Sequence, residues 1–213
     1  LLARGPTHRL SAEQLRDSAL AAAGLLVDRV GGPPAHPYQP DGLWKENNTF
    51  SPAYPQGKGE ELYPRTLYTV RKRTAPEPVS GLFDAPSREL CVARRQATST
   101  PLQSLALLNQ VQYLEAQRVL AQALLAQSGD DAARLDQLQL ALVGRPATAG
   151  ERSLLRAALD EQRKIYAADP ALAAALMKNG EAPAPAGANP AEIAAWTAVA
   201  QLVMNSDGFV WKR

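Results

Sequence analysis

The chain has 213 residues, of which 46% are hydrophobic, so it can bury a substantial core and is not globally disordered. Its 23 basic and 21 acidic residues give a formal net charge of +2, without the basic excess that is typical of a dedicated nucleic-acid-binding domain. A single cysteine excludes an internal disulfide, and no stretch reaches the ~20 consecutive apolar residues of a membrane span. The length favours a single domain over residues 1–213.

The first predicted helix runs over Ser11–Leu26. Ser11 is a typical N-cap residue, Gln14 stands at the capping-box position, and leucines and alanines recur behind them at helical spacing. The segment Gly31–Gly59 follows and is rich in proline. It is too long for a simple connection, and it carries more large apolar side chains than a disordered linker would. We therefore predict an ordered, extended segment that packs its large apolar side chains on the helices, with a ligand surface as the alternative; these residues are Tyr38, Leu43, Trp44, Phe50 and Tyr54.

The middle of the chain predicts one strand and one long helix. Arg65–Lys72 is rich in β-forming residues and is the best strand candidate, and Ser87–Gln96 is a candidate short helix. Pro101–Gln127 has a start signal and two apolar strips, so it should be a central helix packed on two sides. Asn109 lies within one strip, and we expect either a buried amide that satisfies backbone groups or a site residue.

Further helices are predicted over Asp131–Val143, Thr148–Ala168 and Pro190–Asn205, with a weaker one over Asp169–Gly180. The predicted fold class is therefore mainly α: a helical domain around a central long helix, with long Pro-rich irregular segments and at most a very small sheet.

Opposite charges are dense around the lone Cys91. One interpretation is an ion-pair network, in which Asp84 and Glu89 bind arginines of the cluster or Arg71 and Arg73. A second is an acid–base carboxylate pair for glycoside cleavage, which close guanidinium groups disfavour because they hold a carboxylate ionised. A third is recognition of anionic glycans or sulfate by the arginines. The candidate binding residues are Asp84, Arg88, Glu89, Arg94, Arg95 and Trp44, and no catalytic residue is assigned.

Cys91 itself lies among Leu90, Val92 and Ala93, so we expect a small core residue, whereas a nucleophile would need a base brought to it by the fold. A c-type haem needs the spacing C-x-x-C-H, which the sequence lacks. His8 and His36 also fall outside metal-ligand spacing. We therefore expect no cofactor and no metal bound by this chain.

Two consecutive motifs carry a family resemblance, namely FDAPSRELCVARR and TSTPLQSLALLN. They resemble the C-terminal Planctomycete-specific domain of unknown function. Stretches His8–Leu26, Gly31–Glu46, Leu62–Pro78 and Trp196–Phe209 are similar to it as well.

The resemblance implies a large secreted protein, often fused to a planctomycete-type cytochrome c domain, and hence an extracytoplasmic location in the periplasm or at the cell surface. The implied partners are upstream domains of the same protein, among them a c-type cytochrome domain, and an anionic polysaccharide. Since the family's domain usually begins further upstream, we expect the C-terminal part of a longer multidomain protein. The apolar surfaces we expect to be uncovered are the alanine-rich face of Ser11–Val30 and the strip Leu107, Val111 and Leu114.

Taken with the residues, the resemblance favours a non-catalytic interaction or structural module. The alternative is a polysaccharide-active hydrolase that uses Asp84 or Glu89.

Overall fold

Helices dominate the fold, which confirms the predicted class. The computed structural model describes residues 5, 7–45, 53–73 and 75–212. The helices in the described part are α1 (Ala12–Ala22), α2 (Pro78–Leu82), α3 (Pro101–Asn109), α4 (Val111–Leu125), α5 (Asp131–Val143), α6 (Ala149–Ala168), α7 (Pro170–Met177), α8 (Pro190–Met204) and α9 (Asp207–Val210). Short 3₁₀ turns form at Leu43–Lys45, Gly59–Leu62 and Thr66–Tyr68, and two strands, β1 (His8–Arg9) and β2 (Trp211–Lys212), make a very small antiparallel sheet.

The core is centred on the pair α4 and α8. Helix α8 packs against α4, α6 and α7, and its Trp196 is fully buried. The indole Nε1 of Trp196 donates to the Glu192 carboxylate at 3.0 Å, so this large ring is buried without leaving its polar atom unpaired. The centre of the domain is therefore a pair of helices, α4 and α8, rather than the single long helix predicted over Pro101–Gln127.

That predicted helix is interrupted at Gln110, whose ψ of 131° ends α3 and begins α4. The Gln110 side chain accepts from the backbone N–H groups of Gln112 at 2.8 Å and Tyr113 at 3.2 Å, and so acts as the N-cap of α4. Asn109 was predicted to be buried, and this is wrong: it is exposed and donates to the Leu105 carbonyl one turn back at 3.0 Å. The break rotates α3 relative to α4, so the two apolar strips do not continue through both.

Helix α1 begins as predicted, with a reciprocal capping box between Ser11 and Gln14. It ends at Ala22 instead of Leu26, because Gly24 takes a left-handed φ of +70°. The alanine-rich face expected to be uncovered is packed in the core at Ala12, Ala19 and Ala23. The strip expected on the central helix is covered too, with Leu107 buried and Val111 and Leu114 half-buried.

The strand predicted over Arg65–Lys72 does not form. Asp17 on α1 accepts from both the backbone N–H and the hydroxyl of Thr66, at 2.8 and 2.6 Å, and this polar contact stabilises a 3₁₀ turn in its place. Part of the irregular segment is ordered as predicted, since Tyr38 packs against the core. Phe50 lies outside the described residues.

The small sheet pairs His8 with Lys212 and Arg9 with Trp211. It fixes the segment before α1 beside the segment after α9, and it places Arg9 next to the loop described below.

Candidate interaction site

A long loop between α2 and α3 carries most of the predicted site residues, and we call residues 84–98 the Ω-loop. Its two ends are tied together, because the Asp84 carboxylate accepts from the Thr98 N–H at 2.7 Å and from the Thr98 hydroxyl at 2.9 and 3.0 Å. The Arg9 guanidinium donates to the Thr98 carbonyl and, at 2.6 Å, to the Gln103 side chain. Gln103 in turn donates to the Leu82 carbonyl at 2.6 Å. The loop therefore has a closed neck, as Ω-loops do.

The Ω-loop is not helical, and the short helix predicted over Ser87–Gln96 is wrong. Asp84 and Arg88 have φ values of +60° and +64°, in the left-handed region that side chains other than glycine seldom occupy. Aspartate is one of the few residues besides glycine that visit this region, and the hydrogen bonds from Thr98, fourteen residues away, hold Asp84 in place. The turn at Arg88 breaks any helix that would start near Ser87.

The tip of the Ω-loop exposes apolar side chains. Leu90 is 78% exposed and Val92 is 58% exposed, and Cys91 between them is exposed as well. The prediction that Cys91 is a core residue is therefore wrong. Its apolar neighbours suggested burial, but the fixed neck and the left-handed Arg88 direct the tip into solvent. We call Leu90, Cys91 and Val92 the apolar tip.

The charged residues of the cluster pair differently from the prediction. Glu13 on α1 binds Arg95 at 2.7 Å and Arg71 at 3.4 Å. Burial is the largest single influence on the Glu13 carboxyl and opposes its ionisation, but the hydrogen bond and charge of Arg95 and the hydrogen bonds at the start of α1 together outweigh burial, so the pKa of Glu13 is lowered. In the described part of the chain, no ion pair joins Asp84 or Glu89 to an arginine. The acidic partner of the arginines thus lies more than fifty residues away in sequence, where no local pattern indicates it.

The two carboxylates proposed for glycoside cleavage occupy unlike settings. Asp84 is half-buried, and its carboxylate accepts from the N–H of Thr98 and from the Thr98 hydroxyl, which is shared between the two carboxylate oxygens. Glu89 is exposed on the Ω-loop, where its backbone N–H donates to the Ser87 hydroxyl at 3.3 Å. Asp84 therefore holds the neck, and Glu89 has no such structural contact.

Beside the Ω-loop lies a small cavity of about 60 Å³ that is rich in cations. Its basic side chains are Arg71, Lys72, Arg73 and Arg88, which we call the basic cleft. Among the described residues of its lining, the one carboxylate is Glu77, which accepts from the Val79 N–H at 3.1 Å and the Ser80 N–H at 2.6 Å at the start of α2. The described side chains of the lining are therefore mostly basic.

Trp44 adjoins the basic cleft through Lys72. The Lys72 ammonium lies 4.6 Å from the centre of the Trp44 ring and donates to the Trp44 carbonyl at 2.7 Å. The Tyr54 ring is 5.1 Å from the Trp44 ring, so Lys72 connects the cleft to a pair of aromatic rings. Of the candidates chosen from the sequence, Arg88 lines the cleft and Trp44 contacts it through Lys72, whereas Arg95 is bound to Glu13 and Arg94 is exposed.

A buried polar cluster on α4 was missed by the sequence analysis. Glu115 is fully buried and accepts from the hydroxyls of Tyr38 and Tyr63, at 3.2 and 2.9 Å, and from the Ala182 N–H at 2.7 Å. Burial and then the Glu115 charge raise the pKa of Tyr38 to about 12, and burial and Glu115 raise that of Tyr63 further. The cluster fixes the turn after α7 to α4, and we call it the Glu115 cluster.

Arg118, one turn further along α4, is also fully buried and donates to the Ala182 carbonyl at 2.7 Å. Gly180 lies against the same cluster with a left-handed φ of +79°, and a Cβ atom there would overlap the Glu115 carboxylate. Only glycine therefore fits at this point. On α4, Glu115 and Arg118 are interspersed with apolar residues, so helical spacing alone does not distinguish these two positions from surface positions.

Two further properties of the described residues bear on other functions. Within residues 5, 7–45, 53–73 and 75–212, no group of three or more His, Cys, Asp or Glu side chains could hold a metal ion. Among the helices described, none is both long and apolar enough to cross a bilayer.

Fold and site together define a mainly helical domain with a closed-neck Ω-loop beside a basic cleft. Residues 1–159 match the family model PSD1, a protein of unknown function (DUF1553), and the chain belongs to that family. The family resemblance drawn from the Ω-loop motif is thereby confirmed. No curated protein and no solved structure matches the chain.

The matched residues end within α6, and the similar stretch expected over Trp196–Phe209 lies outside them. Helix α8 nevertheless packs directly on α4, which is inside the match. The folded unit that contains the matched residues thus extends beyond residue 159.

Proposed function

We propose that this chain is a non-catalytic interaction module, and that the Ω-loop docks on an upstream domain of a longer protein. The observation that supports this is the apolar tip, with Leu90 and Val92 largely exposed on a loop whose neck is held by side-chain hydrogen bonds. Exposing large aliphatic side chains to water is unfavourable, and a grouped exposure of this kind is typical of a contact surface.

The surroundings of the tip define the chemistry of the partner. Arg88 and Arg94 flank the apolar tip and are exposed. A complementary surface would offer a shallow apolar depression for Leu90 and Val92, with acidic groups at its rim. A fixed loop loses little conformational freedom when it binds, which favours docking over capture by a flexible segment.

The role of Asp84 supports this proposal over the hydrolase. Its carboxylate accepts from the N–H and the hydroxyl of Thr98 and thereby closes the neck of the loop. The family resemblance supports the setting we propose, which is an extracytoplasmic multidomain protein with a c-type cytochrome domain among its upstream partners. Fractionation of cells that produce the full-length protein tests that location.

The docking proposal is tested by adding the upstream segment of the protein, as a separate polypeptide, to this chain. A segment that binds the folded chain should raise its melting temperature by mass action. The double variant Leu90→Asp/Val92→Asp should lose most of that rise. The matched control is Leu154→Asp on α6, where the native leucine is 73% exposed, and it should keep the rise.

Two outcomes would contradict the proposal. One is that the upstream segment leaves the melting temperature of the wild-type chain unchanged. The other is that the tip variant and the Leu154 variant lose the rise equally, which would indicate general loss of stability rather than loss of a docking surface.

A further inference from the structure

We propose that the basic cleft binds oxyanion groups, sulfate or carboxylate, of an anionic polysaccharide, and that Trp44 supports an adjoining sugar ring. This inference rests on residues 71–73, Trp44 and Arg88, and it does not depend on docking by the apolar tip. Three features support it: the convergence of cations, the size of the cavity, and the neighbouring aromatic rings.

Among the described residues that line the basic cleft, cations outnumber carboxylates by four to one. Arg71 is partly neutralised by Glu13 at 3.4 Å, and Lys72 is turned toward Trp44. Arg73 and Arg88 are exposed, and they reach the cavity from two separate segments of the chain. A guanidinium presents paired N–H donors that match a carboxylate or sulfate, so these two arginines are the principal ligands we assign.

The size of the cavity limits what can enter it. About 60 Å³ is more than the ~10–15 Å³ that one water needs, but it is far below the ~300–1,000 Å³ of a small-molecule pocket. Only a small group fits inside, and the remainder of the ligand must lie along the surface. That arrangement suits a charged substituent on a polymer better than a free metabolite.

The surface beside the cavity carries the aromatic rings. Trp44 is half-buried and lies next to Tyr54, and Lys72 connects it to the cleft. An aromatic ring beside cations can also stack on a nucleic-acid base. The chain's net charge of +2 disfavours that ligand, since phosphate backbones require a broad basic surface. A charged sugar polymer is therefore the ligand class we favour.

The test uses sodium sulfate, dextran sulfate and polygalacturonate as probes, with titration calorimetry at fixed ionic strength. The double variant Arg73→Ala/Arg88→Ala should bind both polymers and sulfate at least about tenfold more weakly, which corresponds to ~1.4 kcal/mol. The matched control, Lys164→Ala/Lys178→Ala, removes the same charge from α6 and from the end of α7, and it should stay within about twofold of the wild type.

Trp44→Ala separates the sugar from the anion. It should weaken binding of dextran sulfate and polygalacturonate and leave inorganic sulfate unchanged, because only the polymers contain a ring to stack. Circular dichroism of each variant checks that the fold is retained. Leu90→Ser/Val92→Ser removes the apolar tip without adding negative charge close to Arg88 and should leave sulfate binding unchanged, so failure of this proposal and failure of the docking proposal are distinguishable.

Three results would overturn the inference. Equal losses in the two double variants would show non-specific attraction by charge. Tighter binding of a single-stranded oligonucleotide than of either polymer would assign a different ligand class. Absence of binding for all three probes to the wild-type chain would remove the site.

Discussion

The neck of the Ω-loop gives the sharpest prediction, because Asp84 combines a left-handed backbone with hydrogen bonds to one residue. Asp84→Ala removes the acceptor for both the N–H and the hydroxyl of Thr98. Hydrogen bonds to a charged group contribute about 1.5–3 kcal/mol each, and the half-buried setting reduces their sum, so we expect a loss of about 2–4 kcal/mol. An alanine with φ near +60° adds about 1 kcal/mol of backbone strain.

A series at the same position separates the two contributions. Asp84→Asn keeps an acceptor oxygen and tolerates the left-handed region, so it should lose about 1 kcal/mol or less. Asp84→Gly removes the acceptor without the backbone strain, and it should fall between the other two. The neck should therefore be destabilised least by Asp84→Asn, more by Asp84→Gly and most by Asp84→Ala.

The direct measurement is hydrogen exchange of the Thr98 amide, which donates to Asp84. The combined loss of about 3–5 kcal/mol in the neck should accelerate this exchange by about 150- to 5,000-fold in Asp84→Ala. The urea midpoint should fall as well, since Arg9 and Gln103 connect the neck to β1 and α3. Unchanged exchange at Thr98 in Asp84→Ala, or an identical effect of alanine and asparagine, would refute this account of the loop.

Three further predictions concern the remainder of the fold. Gly180→Ala should destabilise the chain by well over the ~1–2 kcal/mol of a left-handed alanine, because its Cβ would overlap the Glu115 side chain. The control is Gly144→Ala, which has φ +83° and open space around it and should lose only that ~1–2 kcal/mol of backbone strain. Urea unfolding of both variants measures the difference. The pKa of Tyr38 is raised to about 12, so its contribution to stability is complete below pH ~10 and is lost as the pH rises from ~10 to about 12. In Tyr38→Phe, the free energy of unfolding should therefore decrease less over this alkaline range than in the wild type. Arg163→Ala should lower stability by about 1–2 kcal/mol in thermal unfolding, because this side chain binds carboxylates on both α5 and α8. A melting curve identical to that of the wild type would show that these ion pairs do not stabilise the packing of the two helices.

Helix starts were predictable where a side chain caps its own turn. Thr148 with Glu151, and Asn189 before Pro190, form the caps that their spacing predicts. The break at Gln110 was not predictable, because glutamine is an unusual N-cap and the apolar spacing continues on both sides of it. Local signals thus locate helices well and miss an interruption between two good ones.

The site was only partly predictable. Trp44 and Arg88 were chosen from residue type alone, but the position of Arg88 beside Arg71 and Arg73, and the contact of Trp44 with Lys72, depend on the tertiary fold. Glu13, the acidic partner of Arg95, comes from the first helix, and sequence spacing carries no information on that contact. Pairing between residues far apart in sequence is a property of the tertiary fold. The sequence therefore indicates which residue types form the cluster, but not which of them bind each other.

The Glu115 cluster, inside the core, could not be predicted for the same reason. A glutamate on a helix is ordinarily exposed, and its burial requires Tyr38, Tyr63 and the turn near Ala182, which lie far away along the chain. All three donors reach the same carboxylate oxygen, Oε1 of Glu115.

The pairing of α4 with α8 also constrains how the protein is made. As the chain leaves the ribosome, α4 emerges well before Pro190–Met204 is synthesised, so the apolar surface that Trp196 and its neighbours will cover is open to water in the meantime. Exposed surface of that kind is prone to aggregation and is recognised by chaperones. Newly synthesised chains truncated before α8 should therefore stay bound to holding chaperones, and release should follow once α8 is available.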